Sequence, residues 1–296
     1  MKVLLSILPL LFIASCTLFQ KAPVKNIIKN YDNESGAVLI VAHRANIYDS
    51  LPENSLEGIQ ACITAGIDIV EIDIRMTKDG HLILMHDETL NRMTTGRGKV
   101  NAFTLAEIQQ LKLRNGSYGI ATNYSIPTLA KVFAVCKGKI MINLDKGFWF
   151  LKQATELADS YGVSRQVILK SYEGKSQIEA QLGTEYYINF MPILVENSFI
   201  TLNILPPYLA EDNLNKPEAF EMIFDEATDS IGQALFISSL KEQGCRSWVN
   251  TLSDHLSGGN GDNNDTPEIG WQAVIDLGFT IIQTDRCLEL KDFLGR

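Results

Sequence analysis

The chain has 296 residues, of which 46% are hydrophobic and 21% are charged, with 26 basic against 35 acidic side chains. These proportions are ordinary for a globular protein and argue against wholesale disorder, a collagen-like repeat and a multi-span membrane protein. The net charge of −9 argues against a nucleic-acid partner, because neutralising phosphates requires a basic surface. The length suits either two average domains or one α/β barrel of about 250 residues.

Residues 1–16 have the pattern of an export signal. Lys2 precedes an apolar run that is short for a membrane span, and the ending Ile13-Ala14-Ser15-Cys16 resembles a bacterial lipobox. We predict cleavage before Cys16 and lipidation of that cysteine; an uncleaved anchor or a buried first strand is the alternative. Because no aspartate follows the cysteine, we expect an exported lipoprotein of the outer membrane that faces the periplasm. Residues 17–36 are predicted to be a tether.

The other cysteines are widely spaced, and they form neither a C-x-x-C pair nor a zinc-ligand spacing with a histidine. Disulfide frameworks are typical of small secreted domains, so we expect buried free thiols in a domain of this size. These cysteines are Cys62, Cys136, Cys245 and Cys287.

From residue 37 onward, short apolar runs alternate with stretches of helical spacing. The run Val38–Ala42 is apolar throughout, as expected for a strand that is covered on both faces. Thr77-Lys78-Asp79-Gly80 predicts a tight turn that joins the second strand, Ile67–Ile74, to Leu82–Met85 in a hairpin. A capping box of Thr104 and Glu107 begins a predicted helix over 104–111.

The remaining predicted strands are Ile140–Leu144, Gln166–Leu169, Tyr187–Phe190, Ala234–Ile237, Arg246–Asn250 and Thr280–Gln283. The remaining predicted helices are Pro52–Gly66, Thr128–Cys136, Lys152–Tyr161, Gly174–Leu182, Pro217–Ala227, Pro267–Leu277 and Cys287–Phe293.

Apart from the hairpin strand Leu82–Met85, the predicted strands number eight and are joined by helical crossovers. This pattern predicts an α/β fold, a (β/α)8 TIM barrel that forms a single domain over residues 37–296. The alternative is a doubly wound open sheet. Its nucleotide-binding versions lack support, because neither a G-x-G-x-x-G motif nor a P-loop motif is present.

Acidic residues on the second strand suggest a metal site. Glu71 and Asp73 share one face of the strand, and in a barrel they would point into the lumen. Two buried like charges require a cation, and a divalent ion such as Ca²⁺ or Mg²⁺ prefers oxygen ligands. Asn143 and Asp145 repeat the arrangement on the next barrel strand, which would add a third carboxylate. An exposed edge strand, or pairing with Arg or Lys, is the alternative.

His43 and His86 each follow a predicted strand directly. Histidines at a barrel mouth can transfer protons near neutral pH, and a pair provides one base and one acid. Although a single histidine is more often structural, two of only four in the chain at strand ends favour catalysis. Arg44 is suited to contact a phosphate oxygen. Lys146 could do the same, but we favour a side chain that faces solvent.

Near the C-terminus, Trp248 and Asn250 share a face of a predicted strand. Because the loops after the seventh and eighth strands of TIM barrels often bind phosphate, Trp248 is included among the predicted substrate contacts.

Eight short motifs follow one another between residues 37 and 290. They are His43-Arg44, Pro52-Glu53-Asn54-Ser55, Glu71-Ile72-Asp73, Thr77-Lys78-Asp79-Gly80, His86-Asp87, Asn143-Leu144-Asp145-Lys146, Trp248-Val249-Asn250-Thr251 and Gln283-Thr284-Asp285. Each alone is weak, but the ordered set resembles the signature of glycerophosphodiester phosphodiesterases, here as a bacterial lipoprotein member.

The resemblance implies a TIM barrel of lipid metabolism that hydrolyses glycerophosphodiesters to sn-glycerol 3-phosphate and an alcohol with a divalent metal, Ca²⁺ or Mg²⁺. By position, it implies that Glu71, Asp73 and Asp145 are metal ligands. It also implies that His43 and His86 are the acid–base pair, with His86 protonating the leaving alkoxide.

In the same way, Arg44 would contact phosphate, and Glu53 would support the site through a water on the metal or as a hydrogen-bond partner. The attacking group is either water or the substrate's own glycerol hydroxyl.

Three positions depart from the family pattern. Ala45 stands where glycine is usual, and Asp145 is one methylene shorter than the usual glutamate. The family's lysine commonly lies two residues beyond that carboxylate, where this chain has Gly147. Two alternative functions therefore stay open: a related phospholipase-type barrel that acts on lysophospholipids or phosphoinositides, and a non-catalytic lipoprotein that binds a polyol phosphate.

Overall fold

Eight parallel strands close into a barrel in the part of the chain that the structure describes. The structure is a computed structural model that describes residues 24–33, 36–115, 119–183, 188–196, 205–210 and 215–296. The barrel strands are β1 (Leu39–Ala42), β2 (Ile69–Met76), β4 (Met141–Asp145), β5 (Val167–Ser171), β6 (Asn189–Val195), β7 (Ala219–Ile223), β8 (Arg246–Asn250) and β9 (Ile281–Thr284).

The strand pairing confirms the predicted TIM barrel. The order around the barrel is β1-β9-β8-β7-β6-β5-β4-β2, and pairing of β1 with β2 closes the ring. The short strand β3 (Leu82–Leu84) lies outside the ring and pairs antiparallel with the end of β2, as the tight turn at 77–80 predicts. The predicted signal and Cys16 lie outside the described residues.

The helices of the described residues are α1 (Val24–Tyr31), α2 (Leu56–Ala65), α3 (Leu105–Ile108), α4 (Leu129–Cys136), α5 (Leu151–Tyr161), α6 (Lys175–Leu182), α7 (Ala234–Glu242), α8 (Pro267–Leu277) and α9 (Cys287–Phe293). Helix α1 precedes the first strand, and the other helices lie in the connections after the strands. Local signals fix several helix starts: Ser55 caps α2 through the amide of Gly58, and Thr104 with Glu107 forms the predicted capping box.

One strand–helix unit is predicted wrongly. The segment predicted as a helix, Pro217–Ala227, contains strand β7, in which Glu221 points into the lumen between apolar neighbours. The segment predicted as a strand, Ala234–Ile237, begins helix α7. Its apolar run continues with a spacing of three, so that Ile237 and Leu240 are buried, whereas Leu235 is 87% exposed. A helix with one buried face explains this pattern better than a strand covered on both faces.

Alternation along the strands divides the lumen into layers. The lower layer is apolar and includes Val41, Ile69, Met141 and Ile168, and helix α1 packs beneath it. The prediction that residues 17–36 form only a tether is therefore wrong for this segment, because the apolar face of α1 is buried against the barrel. The side chains two positions further along each strand lie nearer the C-terminal mouth and are mostly polar. Between strands and outer helices lies a second, larger apolar core. The fold therefore supports a polar site on an apolar floor.

The cysteines are as predicted: Cys62, Cys136, Cys245 and Cys287 are buried free thiols. Among the described residues, no helix combines the length and apolar character that a membrane crossing requires.

Candidate active site

Three carboxylates converge at the C-terminal mouth of the barrel. Glu71, Asp73 and Asp145 each offer an oxygen atom, and these oxygens all lie within 4.8 Å of one another. The register of β2 and β4 causes this convergence, because Asp73 pairs directly with Asp145. Glu71 and Asp73 are each only 1% exposed. Below, we call these three residues the carboxylate triad.

The motif Pro52-Glu53-Asn54-Ser55 anchors Asp73. The Asn54 side chain donates from Nδ2 to Asp73 Oδ2 at 2.9 Å, and its Oδ1 accepts the Asp73 backbone N–H at 2.9 Å. Asn54 is fully buried, and Ser55 next to it caps α2, so this loop is fixed at both ends. The asparagine therefore orients one carboxylate of the triad.

Arg44, the predicted phosphate contact, lies beside the triad. Its backbone N–H donates to Glu71 Oε2 at 2.8 Å, and its Nη1 donates to Glu53 Oε1 at 3.3 Å. Its Nε lies 3.7 Å from Asp73 Oδ2, beyond hydrogen-bond distance, and is buried without a hydrogen-bond partner among the described residues. A buried donor without a partner indicates space for a further acceptor, such as a substrate oxygen.

Four non-glycine residues with positive φ lie in the loops around the triad. They are Arg44 at 51°, Ala45 at 50°, Asn54 at 57° and Lys146 at 60°. This backbone region costs L-residues energy, and such residues concentrate at functional sites, where the surrounding structure holds them. Ala45, which stands where the family usually has glycine, adopts the conformation that glycine would adopt freely.

The prediction that Lys146 faces solvent is wrong. A regular strand would direct this side chain away from the lumen, but the left-handed backbone at Lys146 ends β4 and reverses the direction. Its Nζ forms an ion pair with Asp73 Oδ1 and lies 3.7 Å from Asp145 Oδ2, and the side chain is only 20% exposed. Lys146 therefore lies at the carboxylate triad, with its ammonium directed at two of the three carboxylates.

His43 is held by a carboxylate that the sequence analysis did not assign to it. Its Nδ1 lies 2.8 Å from Asp285 Oδ1, at the end of β9. Burial acts to lower the pKa of His43, but the bond to Asp285 and the charge of Glu71 outweigh burial, and the pKa is raised. With Nδ1 engaged, Nε2 is the nitrogen that remains for proton transfer.

His86 is held in a similar way by a network at the rim. Its Nδ1 lies 2.8 Å from Asp87 Oδ1, and Arg92 donates to both Asp87 oxygens, at 2.7 and 2.9 Å. Arg92 also donates to Glu53 at 2.8 Å, and Arg75 donates to the backbone oxygen of His86. The bonds from Arg92 help to lower the pKa of Asp87 to about 2, so this carboxylate stays ionised.

The carboxylate triad suits a hard divalent cation. Burial and the neighbouring Asp73 raise the pKa of Glu71 to about 7, and a doubly charged ion would relieve this repulsion. Asn143, which pairs with Glu71 in the register, has a buried Oδ1 that lacks a hydrogen-bond partner among the described residues. The donors are all oxygens, as Ca²⁺ and Mg²⁺ prefer.

Trp248 is not placed where a substrate contact requires it. The side chain is fully buried in the apolar floor of the lumen, and its Nε1 donates to Asn250 Oδ1 at 2.9 Å. Trp248 faces the lumen, as alternation along the strand predicts, but it lies one layer below the carboxylates. It therefore supports the site from beneath.

Sequence reasoning also missed several polar partners of the site. His86-Asp87 is a visible motif, and Arg92 lies only five positions beyond Asp87. In contrast, nothing local links Asp285 to His43 or Lys170 to Glu221. These contacts become visible only when the barrel order is known. The one usable signal is that Lys170 and Glu221 interrupt apolar strands.

Comparisons with known proteins point to one family. Residues 43–180 match the model of the glycerophosphoryl diester phosphodiesterase family, and residues 190–294 match a domain of unknown function. A glycerophosphodiester phosphodiesterase of Caldanaerobacter subterraneus is 37% identical over 108 residues, which are 36% of this chain and 44% of the relative. One from Bacillus subtilis is 40% identical over 104 residues, 34% of this chain and 35% of the relative. The chain thus spans less than half the length of these two curated relatives.

Solved structures resemble nearly the whole chain. A glycerophosphoryl diester phosphodiesterase of Parabacteroides distasonis has a TM-score of 0.74 at 23% identity and covers 93% of both chains. An Oleispira antarctica phosphodiesterase, solved in complex with the product sn-glycerol-3-phosphate, has a TM-score of 0.64 at 18% identity and covers 87% of this chain and 97% of its own. At these identities the structures bear on the fold.

Proposed function

We propose that the chain is a glycerophosphodiester phosphodiesterase that hydrolyses glycerophosphodiesters to sn-glycerol 3-phosphate and an alcohol, with Ca²⁺ or Mg²⁺ as cofactor. The observation that carries the proposal is the convergence of the carboxylate triad at the barrel mouth. It is accompanied by two histidines at strand ends, whose Nδ1 atoms are both held by carboxylates. Relatives named for this activity support it, as does the neighbour that binds sn-glycerol-3-phosphate.

The charges of the site explain how an acidic protein takes an anionic substrate. The triad would hold the divalent metal, which supplies positive charge to the phosphodiester oxygens. Arg44 stands next to the triad with an Nε donor that has no hydrogen-bond partner in the part of the chain that the structure describes, and it would bind a phosphate oxygen. Lys146 now contacts Asp73, and a phosphate in the mouth would offer its ammonium a second anion. The local balance of charge therefore differs from the net charge of the chain.

The two histidines provide the proton transfers. Asp285 fixes the ring of His43 and raises its pKa, which makes the imidazole a stronger base for the proton of the attacking oxygen. Asp87, held ionised by Arg92, fixes the ring of His86, which would protonate the leaving alkoxide. The attacking oxygen belongs either to water or to the glycerol hydroxyl of the substrate.

The direct test measures release of glycerol 3-phosphate from glycerophosphocholine by the full chain. We expect EDTA to abolish release and added Mg²⁺ or Ca²⁺ to restore it. His43→Ala and His86→Ala should each lower kcat at least about 100-fold, the usual contribution of general acid–base catalysis. His255→Ala is the matched control, because that histidine is 83% exposed and pairs with a surface aspartate, Asp225.

Three results would refute the proposal: activity that survives EDTA, full activity in either site variant, or metal-saturated protein that binds glycerophosphocholine without turnover. The last result would favour the non-catalytic alternative. Faster turnover of lysophosphatidylcholine than of glycerophosphocholine would instead favour the phospholipase-type alternative.

We also propose that the chain is exported and anchored by a lipid on Cys16 in the outer membrane. The support is the sequence pattern of residues 1–16 alone. Metabolic labelling of the full chain with an alkynyl palmitate in a bacterial host should tag the protein, and Cys16→Ser should not be tagged. Equal labelling of both would refute the anchor.

A further inference from the structure

A buried ion pair lies in the lumen beside the carboxylate triad, and the proposed mechanism does not use it. Lys170 on β5 places its Nζ 3.0 Å from Glu221 Oε2 on β7, and the two side chains are only 6% and 3% exposed. A lysine is almost never buried to this extent unless it is paired. The pair therefore has a structural or functional reason to be there.

The position of Lys170 follows from the barrel register. Leu144 on β4 pairs with Leu169 on β5, so the next residues along the strands, Asp145 and Lys170, lie at the same level. Ile168, two positions before Lys170, belongs to the apolar floor of the lumen, which places Lys170 in the layer above it. The positive charge of Lys170 therefore lies at the level of Asp145, on the strand next to it.

A chain of hydrogen bonds restrains the partner of Lys170. Asn250 donates from Nδ2 to Glu221 Oε1 at 2.6 Å, and Trp248, buried in the floor, donates to Asn250 Oδ1 at 2.9 Å. Each side chain is thus oriented by the one before it. The charge of Lys170 is fixed in the lumen by this chain.

Lys146, the other lysine at the triad, differs in this respect. Its side chain is 20% exposed at the mouth, and its partners are Asp73 and Asp145 of the triad itself. A cation bound by those carboxylates would therefore compete directly with Lys146. Lys170 has a separate carboxylate partner below the mouth, so its charge stays beside the triad whether or not a metal is bound.

From this arrangement we propose that Lys170 is a fixed counterion of the carboxylate triad, set by Glu221, that weakens the triad's affinity for a divalent cation. The inference rests on the proposed function, because it takes the triad as the metal site. A fixed positive charge repels the incoming ion and partly neutralises its ligands. Metal affinity would then be tuned by a pair that never touches the metal.

The test compares metal binding in variants by isothermal titration calorimetry of Mg²⁺ and of Ca²⁺ into the EDTA-stripped full chain. Lys170→Met removes the charge, and we expect Kd to fall at least about tenfold, which corresponds to about 1.4 kcal/mol. Glu221→Gln keeps the bond from Asn250 but leaves Lys170 without its own anion. The ammonium then relies on the triad, and we expect Kd to rise at least about tenfold.

The opposite shifts of the metal Kd in the two single variants distinguish this role from a purely structural one. A pair that only stabilises the barrel would lower the melting temperature in both variants and leave the metal Kd of the folded protein unchanged. The double variant Lys170→Met/Glu221→Gln buries no unpaired charge and should bind metal more tightly than the wild type. Arg296→Met is the control, because it breaks an ion pair with Asp68, at the start of β2 and away from the triad.

The outcomes distinguish failure of the proposed role of Lys170 from failure of the proposed metal site. Unchanged Kd values in Lys170→Met and Glu221→Gln, or shifts of the same sign, would overturn this inference while leaving the metal site intact. If Lys170→Met does not fold, Glu221→Gln and the double variant decide by the same criteria. Absence of metal binding by the wild type would instead overturn the proposed function.

Discussion

The bond between His43 and Asp285 gives the sharpest prediction about catalysis. Asp285→Asn keeps the size of the side chain but replaces the carboxylate 2.8 Å from His43 Nδ1 with a neutral amide. Hydrogen bonds to charged groups contribute about 1.5–3 kcal/mol. Because the Asp285 side chain is 49% exposed, solvent screening reduces this figure, and we take about 1–2 kcal/mol. That range corresponds to a loss of about 5- to 30-fold in kcat.

The same variant should also shift the pH profile of kcat/KM in a defined direction. Burial lowers the pKa of His43, but the bond to Asp285 and the charge of Glu71 raise it to a greater extent. Asp285→Asn should therefore lower this pKa. If His43 is the base, it must be neutral to act, so the acidic limb of kcat/KM should move to lower pH in the variant.

The assay is release of glycerol 3-phosphate from glycerophosphocholine at saturating Mg²⁺ or Ca²⁺, measured across the pH range. Asp225→Asn is the matched control, since Asp225 holds His255 in a comparable pair that is exposed to solvent. A variant at position 285 with unchanged kcat and an unmoved acidic limb would refute the role of Asp285. A shift of the basic limb alone would show that His43 acts as the acid.

Three further variants test the charges around the triad. Folding raises the pKa of Glu71 from 4.5 to about 7, so the metal-free protein loses stability as the pH rises through this window. At pH 8, Glu71→Gln should be more stable than the wild type by on the order of 3 kcal/mol in chemical unfolding. Below pH 4.5 the variant should show little gain in stability. Lys146→Met removes the cation from Asp73 and should lower the free energy of unfolding by about 2 kcal/mol in EDTA. Added Mg²⁺ should recover this stability. An equal loss of stability with and without Mg²⁺ would contradict the prediction. Arg92→Met frees Asp87 and should lower kcat about tenfold with little change in KM, whereas a pure KM effect would show that Arg92 binds substrate.

The barrel was predictable because its signals are local. Apolar runs such as Val38–Ala42, the turn at 77–80 and the capping box at Thr104 each depend on a few neighbouring residues. The error at β7 has a physical reason: Glu221 interrupts the apolar strand, and its partner Lys170 lies on another strand. Without that partner, an acidic residue among apolar ones resembles a helix with one polar face.

The triad could be predicted as a set of residues, but its surroundings could not. Glu71 and Asp73 share a face by simple alternation, whereas Asp285 and His43, which are 242 positions apart, meet only because β9 pairs with β1. Lys146 shows another limit. Its direction depends on one left-handed residue, which strand periodicity does not encode.

A crystal structure of the full chain grown with Mn²⁺ and sn-glycerol 3-phosphate would test the central claim most directly. The anomalous signal of manganese locates the ion without ambiguity. We predict one manganese ion bound by oxygens of Glu71, Asp73 and Asp145, with the phosphate in contact with Arg44. A manganese ion elsewhere, or a triad that still binds only Lys146 at saturating Mn²⁺, would contradict the account.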